Sequence, residues 1–385
     1  MEYFKRLPEE ITIDILTRVP TESIGECKSV SKSWRNLLRQ PSFSQLHLRR
    51  LSNPDSDSGK LSFLALTRGE IGHGNLHYFE FNENHESTPI ERIWRINYSL
   101  PFRGTRLIDS HNGLICLAGY PPRPAIIGSV CICNPITREY VLLPQVVDRF
   151  YDVWVTGFGY VSSSNEYKVV GMYNNLKEEF LEVYIYTLGS GNGWRNLGKF
   201  STEYNPYPLH QGKFANGAIH WLSRNVEMIV AFDLAEEKFC EHLSPPPLPV
   251  DYNWDESRIG VWDGFLWFGI GEEDEFYDIW QSKRKNDNHD MKQKEEHQSF
   301  CWSRKCRVDE SQLLADTKKD CVLTCVDNHL NIYDPKALTL TRLVDFKEQF
   351  CQVYPHKNTL ISLKELGEED TKIMKSVEIK GRKKP

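Results

Sequence analysis

The fold class can be inferred from one short stretch whose elements recur along the chain, His111-Asn112-Gly113-Leu114-Ile115-Cys116-Leu117. An Asn-Gly pair can adopt the two positive φ angles of a tight hairpin turn. The apolar run after it is typical of a buried strand. The unit continues to Asn134-Pro135, where an Asx-Pro pair ends a second strand, and reaches a third strand at 140–144. One turn and three short strands therefore form a repeating antiparallel unit.

Three further copies of this unit follow. They begin at Ala215-Asn216-Gly217, at Trp262-Asp263-Gly264 and at Val326-Asp327-Asn328. Repeated antiparallel sheets of this spacing are typical of the blades of a β-propeller. An array of β-sandwiches is the alternative.

The connections between strands give three more predictions. Closure of a propeller usually pairs strands from both chain ends, so 61–66 or 76–81 is expected to pair with the last strands near 359–363. The glycine-rich stretch 189–193 is followed by Trp194 without a helical pattern, so we interpret it as a hairpin loop and not as a phosphate-binding loop. The charged stretch 282–298 has one apolar side chain, Met291, and is predicted to be a mobile loop.

The first forty residues have a different periodicity. Leu7, Ile11, Ile15 and Val19 form an i, i+4 stripe, which predicts an amphipathic helix ending at Pro20. Two more short helices are expected before Pro41, the first of them opened by a capping box at Ser23-Ile24-Gly25-Glu26. Three helices in so short a stretch usually need a neighbouring domain or a partner for stability.

These patterns predict an α+β multidomain chain. A small three-helix domain at 1–50 precedes a polar, turn-rich linker at 51–60. A mainly-β propeller domain follows at 61–370, and a basic tail completes the sequence at 371–385.

Composition excludes several classes of function. The formal charge of the 385 residues is only -6, which indicates neither nucleic-acid nor membrane-surface binding. No apolar run has the length of a signal peptide or a membrane span. The ten cysteines are therefore expected to be reduced, in the cytoplasm and/or the nucleus. Cys131 and Cys133 are expected to face opposite sides of a strand.

No motif in the sequence indicates catalysis. There is no GxSxG nucleophile elbow, no HExxH motif and no CxxC pair. The acidic run at 272–275 is interpreted as a solvated loop, and Trp221 and Trp267 as core residues. We therefore expect no catalytic residue, no cofactor and no metal.

Two regions of the sequence resemble a known family. Leu7-Pro8-Glu9-Glu10, the stretch 15–20 ending in Pro20, and the stretch 27–35 ending in Ser33-Trp34-Arg35 resemble an F-box. The remainder resembles the plant F-box-associated domain, which is kelch-like and expected to be a propeller. That likeness is carried by 110–117, 134–139, 157–160, 166–170, 194–198 and 216–221.

The resemblance implies a division of labour. The F-box would bind a Skp-type adaptor, which links it to a cullin and a RING subunit, and the β domain would recruit a protein substrate for ubiquitination. The chain would then be a non-catalytic substrate receptor of an SCF-type ubiquitin ligase. The residues expected to contact the adaptor are Leu7, Pro8, Ile11, Ile15, Leu16, Val19, Pro20, Ile24, Val30 and Trp34. Some of these must face the other helices instead, and no substrate-binding residue is predicted.

The sequence leaves two alternatives open. In the first, the chain is an F-box scaffold or stoichiometric inhibitor that acts outside the ligase. It would otherwise be a propeller enzyme similar to galactose oxidase, although the sequence shows no ligand set for copper or another cofactor.

Overall fold

The N-terminal helical unit has four helices. They are α1 Glu9–Leu16, α2 Ile24–Val30, α3 Lys32–Leu37 and α4 Pro41–Leu51, with a 3-10 turn, Thr21–Ser23, running into α2. The predicted helical region is confirmed, and α4 is an addition that the sequence patterns did not predict. Pro41 begins this helix, because the first helical position needs no N–H donor.

The capping box predicted at Ser23 is absent. The backbone of Ser23 is already helical, at φ -83° and ψ -12°, and its side chain makes no capping hydrogen bond. A capping residue needs extended backbone angles. Ser31 has them, at φ -155° and ψ 162°, and its Oγ accepts the Trp34 N–H at 3.0 Å at the start of α3.

The computed structural model describes part of the chain. The described ranges are 7–51, 60–67, 75–84, 90–96, 103–120, 129–146, 153–175, 180–204, 206, 211–223, 228–247, 257–271, 276–283, 301–309, 312–317, 320–346 and 348–375. The chain forms two compact units. The first comprises Met1–Pro144, Leu188–Gly191 and Tyr354–Pro385, and the second comprises Gln145–Thr187 and Asn192–Val353.

Two antiparallel sheets contain the strands that follow the helices. Their order is β24-β1-β2-β3 and β25-β7-β6-β5-β4. The strands are β1 Lys60–Thr67, β2 Asn75–Asn82, β3 Ile90–Ile96, β4 Arg103–His111, β5 Leu114–Tyr120, β6 Ser129–Asn134, β7 Glu139–Leu142, β24 Phe350–Pro355 and β25 Lys372–Ile373.

Four further antiparallel sheets follow, each with its strands in chain order. They are β8 Val153–Val161, β9 Glu166–Asn175, β10 Phe180–Thr187 and β11 Trp194–Ser201; β12 Lys213–Ala215, β13 Ala218–Leu222, β14 Ile229–Asp233 and β15 Lys238–Phe239; β16 Arg258–Trp262, β17 Phe265–Gly271, β18 Phe276–Lys283 and β19 Cys301–Asp309; β20 Gln312–Asp316, β21 Val322–Val326, β22 His329–Asp334 and β23 Thr339–Asp345. Such sheets are the blade unit of a β-propeller. The predicted class, a helical unit followed by a mainly-β, kelch-like propeller, is confirmed.

The predicted hairpin turns are confirmed by their backbone angles. Both central residues have positive φ at Asn112-Gly113 (50° and 83°), Asn216-Gly217 (52° and 84°) and Asp263-Gly264 (51° and 79°). The fourth repeat is out of phase with these three. Its turn at Asp327 joins the second and third strands of its sheet, whereas the others join the first and second. The turn chemistry marks a hairpin but not the position of that hairpin in the sheet.

The closing pair of strands differs from the prediction. β1 pairs with β24, so an early strand does pair with a late one. The stretch 359–363 forms no strand, however. The side-chain amide of Asn134 donates to the carbonyl oxygens of Thr359 and Ile361, which occupies acceptors that a strand would need.

The cysteine prediction was wrong. Cys131 and Cys133 are both buried in one core cluster together with Leu117, because residues two apart on a strand point to the same face.

The remaining expectations concern loops and tryptophans. The stretch 189–193 does join two strands of a hairpin, β10 and β11. Trp221 is fully buried as expected, whereas Trp267 is partly buried at the edge of a core cluster. Ser282 and Lys283 belong to β18 and not to the charged loop. The ends of the linker predicted at 51–60 belong to α4 and β1, and the tail predicted at 371–385 contains β25. The stretches 284–298, 52–59 and 272–275 lie outside the described residues.

Candidate functional site

The helical unit carries exposed apolar side chains, and those along α1 share one face of that helix. Ile11 and Ile15 lie on α1 and are 48% and 37% exposed, and Leu7 just before the helix is 37% exposed. Val30 at the end of α2 and Leu46 on α4 are also exposed. Exposed apolar side chains grouped on a small unit mark a surface for a partner.

The structure divides the predicted adaptor residues into two groups. Leu7, Pro8, Ile11, Ile15, Pro20 and Val30 are exposed. Leu16 and Ile24 have no exposed surface, and Val19 and Trp34 are partly buried against them. In this structure Leu16 and Ile24 therefore stabilise the unit and offer no surface to a partner. Leu46 was missed because α4 was not predicted.

An ion pair crosses the helical unit near this face. Asp14 on α1 accepts hydrogen bonds from Arg18 at 2.8 Å and from Arg50 on α4 at 3.0 Å. The hydrogen bond from Arg18 is the largest cause of a lowered pKa of Asp14. The Arg50 contact helps to set α4 against α1.

The core of the helical unit is completed from the far end of the chain. Leu16, Ile24, Leu38 and Phe43 form the buried cluster, and Leu360 packs against it. Leu360 belongs to the stretch 356–365, which we call the clasp. So small a helical unit buries little surface alone, and the clasp supplies the missing apolar contact.

Directional hydrogen bonds join the clasp to the helices. The Thr21 hydroxyl donates to the Asn358 carbonyl at 2.9 Å, and the Asn358 amide donates to the Glu22 carboxylate. The Lys357 ammonium donates to the carbonyl of Leu51 at 2.6 Å. These contacts hold both ends of the helical unit.

The same clasp is bound to the second sheet. Asn134, at the end of β6, holds the Thr359 and Ile361 carbonyls at 3.1 and 2.8 Å. Glu139 accepts the Ser362 hydroxyl at 2.9 Å and the Leu363 N–H at 2.6 Å. Gly113 is required here, since a Cβ at that position would lie 2.2 Å from the Thr359 hydroxyl oxygen.

A buried histidine links these contacts to the sheet. His356 Nε2 lies 3.2 Å from Asn358 Oδ1, and its Nδ1 lies 2.7 Å from the Ser110 hydroxyl. Asn358 Oδ1 can only accept, so Nε2 carries the proton and Nδ1 accepts from Ser110. Burial lowers the pKa of His356 to about 4, so the ring is neutral at pH 7.

A cleft of about 1000 Å³ lies beside the clasp. Its walls include the cations Lys28, Arg39, Arg95 and Arg138 and the carboxylates Glu22, Glu139 and Glu365. Burial is the largest cause of a raised pKa of Glu365, and the charge of Glu139 adds to it. The mixture of charges favours neither an anion nor a cation.

The described part of the chain holds no group of three or more His, Cys, Asp or Glu side chains placed to bind a metal ion. Its helices include none that is long and apolar enough to cross a membrane.

Comparison with known families agrees with this architecture. A model of the F-box domain matches residues 4–46, and a model described as "F-box associated beta propeller domain" matches 66–253. The helical unit and the antiparallel sheets together thus define a protein in which an F-box precedes a β-propeller. The chain belongs to the F-box proteins that carry an F-box-associated β-propeller domain.

Curated relatives from Arabidopsis thaliana show the same kinship. The putative F-box protein At3g52320 is 27% identical over 245 residues, which cover 62% of this chain and 60% of that protein. The F-box protein DOR is 29% identical over 285 residues, 68% of each chain. The F-box protein CPR1 is 28% identical over 314 residues, 73% of this chain and 70% of that one. The match thus spans between three-fifths and seven-tenths of each relative.

Proposed function

We propose that the chain is the substrate receptor of an SCF-type ubiquitin ligase. The observation that carries the proposal is the exposed apolar face formed by Leu7, Ile11 and Ile15 on an F-box. This face suits a Skp-type adaptor, which would connect the chain to a cullin and a RING subunit. The F-box relatives support an adaptor role of this general kind.

The β-propeller would recruit the protein substrate. Ubiquitin transfer then follows from proximity, because a substrate held near the charged conjugating enzyme reacts as if at a high local concentration. Under this proposal the chain itself contributes no catalytic group. It works in the cytoplasm, the nucleus or both.

The test is the double variant Ile11→Ala with Ile15→Ala in the full chain. Each side chain would be buried against the adaptor, so together their loss is expected to weaken adaptor binding roughly tenfold to a hundredfold. The matched control is Leu142→Ala, because Leu142 is 36% exposed but lies on β7. Binding is measured by titration of the purified adaptor.

Two outcomes would contradict parts of the proposal. Adaptor binding at the wild-type level in the double variant would remove this face from the interface. Capture of the adaptor without any cullin in cells would favour a scaffold or inhibitor that acts outside the ligase.

A further inference from the structure

Three sheets share one turn between their third and fourth strands. An Asx side chain ends the third strand in each and accepts a backbone N–H two residues further on, at 2.9 Å for Asn134, 2.8 Å for Asp233 and 2.8 Å for Asp334. Four residues after each Asx a non-glycine residue has positive φ: Arg138 at 64°, Glu237 at 54° and Leu338 at 54°. The outer strands β7, β15 and β23 therefore each begin after a turn of the same geometry.

The outer edge at the first of these turns is occupied by another strand of the chain. β25 adds antiparallel to β7, with Lys372 opposite Tyr140 and Ile373 opposite Glu139. The N–H of the next residue, Met374, donates to the Arg138 carbonyl at 2.8 Å, and the Met374 side chain is buried. An outer strand that leaves this turn can thus accept a short added strand.

The second of these turns is held by ionic side chains. Glu237, its positive-φ residue, binds Lys168 at 2.8 Å and Arg195 at 2.6 Å. These contacts cross the turn from which β15 starts. The start of β15 is thus held within its own unit.

The edge at the third of these turns differs from the first. β23 is the last strand in its sheet order, and the described residues place no strand on its outer side. Leu338 is 75% exposed and Leu340 is 48% exposed. Thr339, Thr341 and Arg342 are exposed as well. An open strand edge with exposed apolar side chains is a template for pairing with another chain.

We propose that the outer edge of β23 binds an extended segment of the recruited protein, which adds to the sheet as an antiparallel strand. The inference rests on the proposed function, because it names the surface by which the propeller would hold its substrate. The register follows from β25: one residue lies opposite Leu340, the next opposite Thr339, and the third donates its N–H to the Leu338 carbonyl.

This register fixes the chemistry of the segment. Directly opposite residues share a face of the sheet, so the position facing Leu340 is apolar. The residue that donates its N–H to the Leu338 carbonyl corresponds to Met374, whose apolar side chain is buried beside Arg138, so this position is apolar as well. Arg342 is two residues from Leu340 and lies on the same face. The described residues include no carboxylate paired with Arg342, so the position facing it is acidic. The expected sequence is acidic, any, apolar, any, apolar.

A second copy of this chain fits the edge less well. Two β23 strands paired about Leu340 would place each Arg342 opposite the Leu338 of the other copy, given the antiparallel spacing. Both guanidinium groups would then lack a carboxylate. The acidic partner segment satisfies Arg342 and both leucines together.

The experiment selects binders from a displayed library of random twelve-residue peptides on the immobilised full-length protein. Wild type is expected to enrich the five-position sequence given above. The variant Leu338→Lys with Leu340→Lys should bind the enriched peptides at least about tenfold more weakly, because it removes both apolar contacts. Arg342→Glu should shift the preferred residue at the first position from acidic to basic. Phe265→Lys is the matched control, since Phe265 is 40% exposed but lies on β17.

Contrary outcomes are equally specific. Enriched peptides that lack the sequence, peptides whose binding survives the double leucine variant, or an equal loss in Phe265→Lys would overturn the edge as the binding surface. Self-association that disappears in the double leucine variant, without peptide enrichment, would assign the edge to a second copy. Adaptor binding is measured in parallel and should not change in these variants. If the wild-type protein did not bind the adaptor, the ligase role would be refuted, and the peptide experiment would still test whether β23 is a binding edge.

Discussion

The helical unit and the sheets reach stability by different routes. One sheet cluster, which includes Val170, Ile185 and Phe232, is built from residues of neighbouring strands in its own unit. The helical cluster needs Leu360, and the unit is further held by hydrogen bonds from Lys357 and Asn358. A sheet is thus a local structure, whereas the F-box is completed by residues more than 300 positions away. The directional bonds of the clasp also fix how the F-box sits on the second sheet.

Removal of the clasp should destabilise the helical unit and leave the sheets of the second unit unchanged, and this is the largest effect that we expect. A chain that ends after Pro355 loses Leu360 and every clasp hydrogen bond, which should cost the helical unit at least about 4 kcal/mol. Hydrogen exchange of the α1 and α2 amides should become fast, while β9 and β10 stay protected. The control chain ends after Lys375 and keeps the clasp. Unchanged protection of α1 in the shorter chain would show that the helices are stable without it.

Asn134 and Asp334 occupy equivalent turns, but only Asn134 also binds the clasp. Comparing the stability of variants at the two positions therefore separates the contribution of the clasp contacts from that of the turn contacts. Asn134→Ala removes the turn hydrogen bond and leaves the Thr359 and Ile361 carbonyls without their donor, so it should cost about 3 kcal/mol. Asp334→Ala removes only turn contacts at an exposed carboxylate, so its cost should be clearly smaller. Urea denaturation of both variants measures the difference. Equal losses would mean that Asn134 does not hold the clasp.

Acid should weaken both units through buried histidines. A histidine in an unfolded chain titrates near 6.5, whereas burial lowers the pKa of His356 and of His220 to about 4. Between these values the unfolded chain binds a proton that the folded chain does not. The stability present above pH 6.5 is therefore lost as the pH falls toward 4, by roughly 2 kcal/mol per histidine at pH 5.

The two histidines report on different regions. His356→Gln should flatten the pH dependence of α1 protection between pH 7 and 5, and His220→Gln should do so for β13. Hydrogen exchange at both pH values measures this. If the His356 variant kept the full acid sensitivity of the helices, protonation of this ring would not be what loosens the clasp.

The smallest expected effect concerns a turn in the second unit. Burial, followed by the charge of Asp316, raises the pKa of Asp263 to about 6, although Lys305 acts in the opposite direction. Its favourable contribution is present below pH 4 and is lost as the pH rises through 6. Asp263→Asn keeps a residue that tolerates positive φ and should stabilise the protein at pH 7.5. The gain is under about 1 kcal/mol because the carboxyl group is only partly buried and solvent screens its charge, and it should vanish at pH 4. An equal gain in thermal stability at both pH values would exclude this cause.

Local chemistry explains which parts of the fold were predictable. The Asn-Gly and Asp-Gly turns were found because two positive φ angles demand particular residues, and the F-box stripe was found because helical periodicity is a local pattern. The sequence does not show that the turn at Asp327 joins the second and third strands of its sheet, since the same turn residues can close any hairpin. The clasp is not predictable from its own sequence, because the donor that binds its carbonyls is Asn134, more than 220 residues away.

The candidate surface was predictable to the same limited degree. The sequence places Ile15 and Leu16 next to each other in one apolar helix, and both suit a partner or a core. Leu16 is buried because Phe43 and Leu360 share its cluster. Phe43 belongs to a helix that begins at Pro41, and Leu360 arrives from the clasp, so neither contact is visible in the periodicity of α1.

The clasp also orders events during synthesis of the chain. Thr21 and Asn358 are 337 residues apart, and ribosomes add roughly 5–20 residues per second. The F-box helices therefore emerge roughly 20–70 s before the residues that complete their core. During that interval a nascent chain displays the apolar stripe without its support. A chain cut short before the clasp keeps an F-box whose core is incomplete. Under the proposed function, adaptor binding would then report on complete translation.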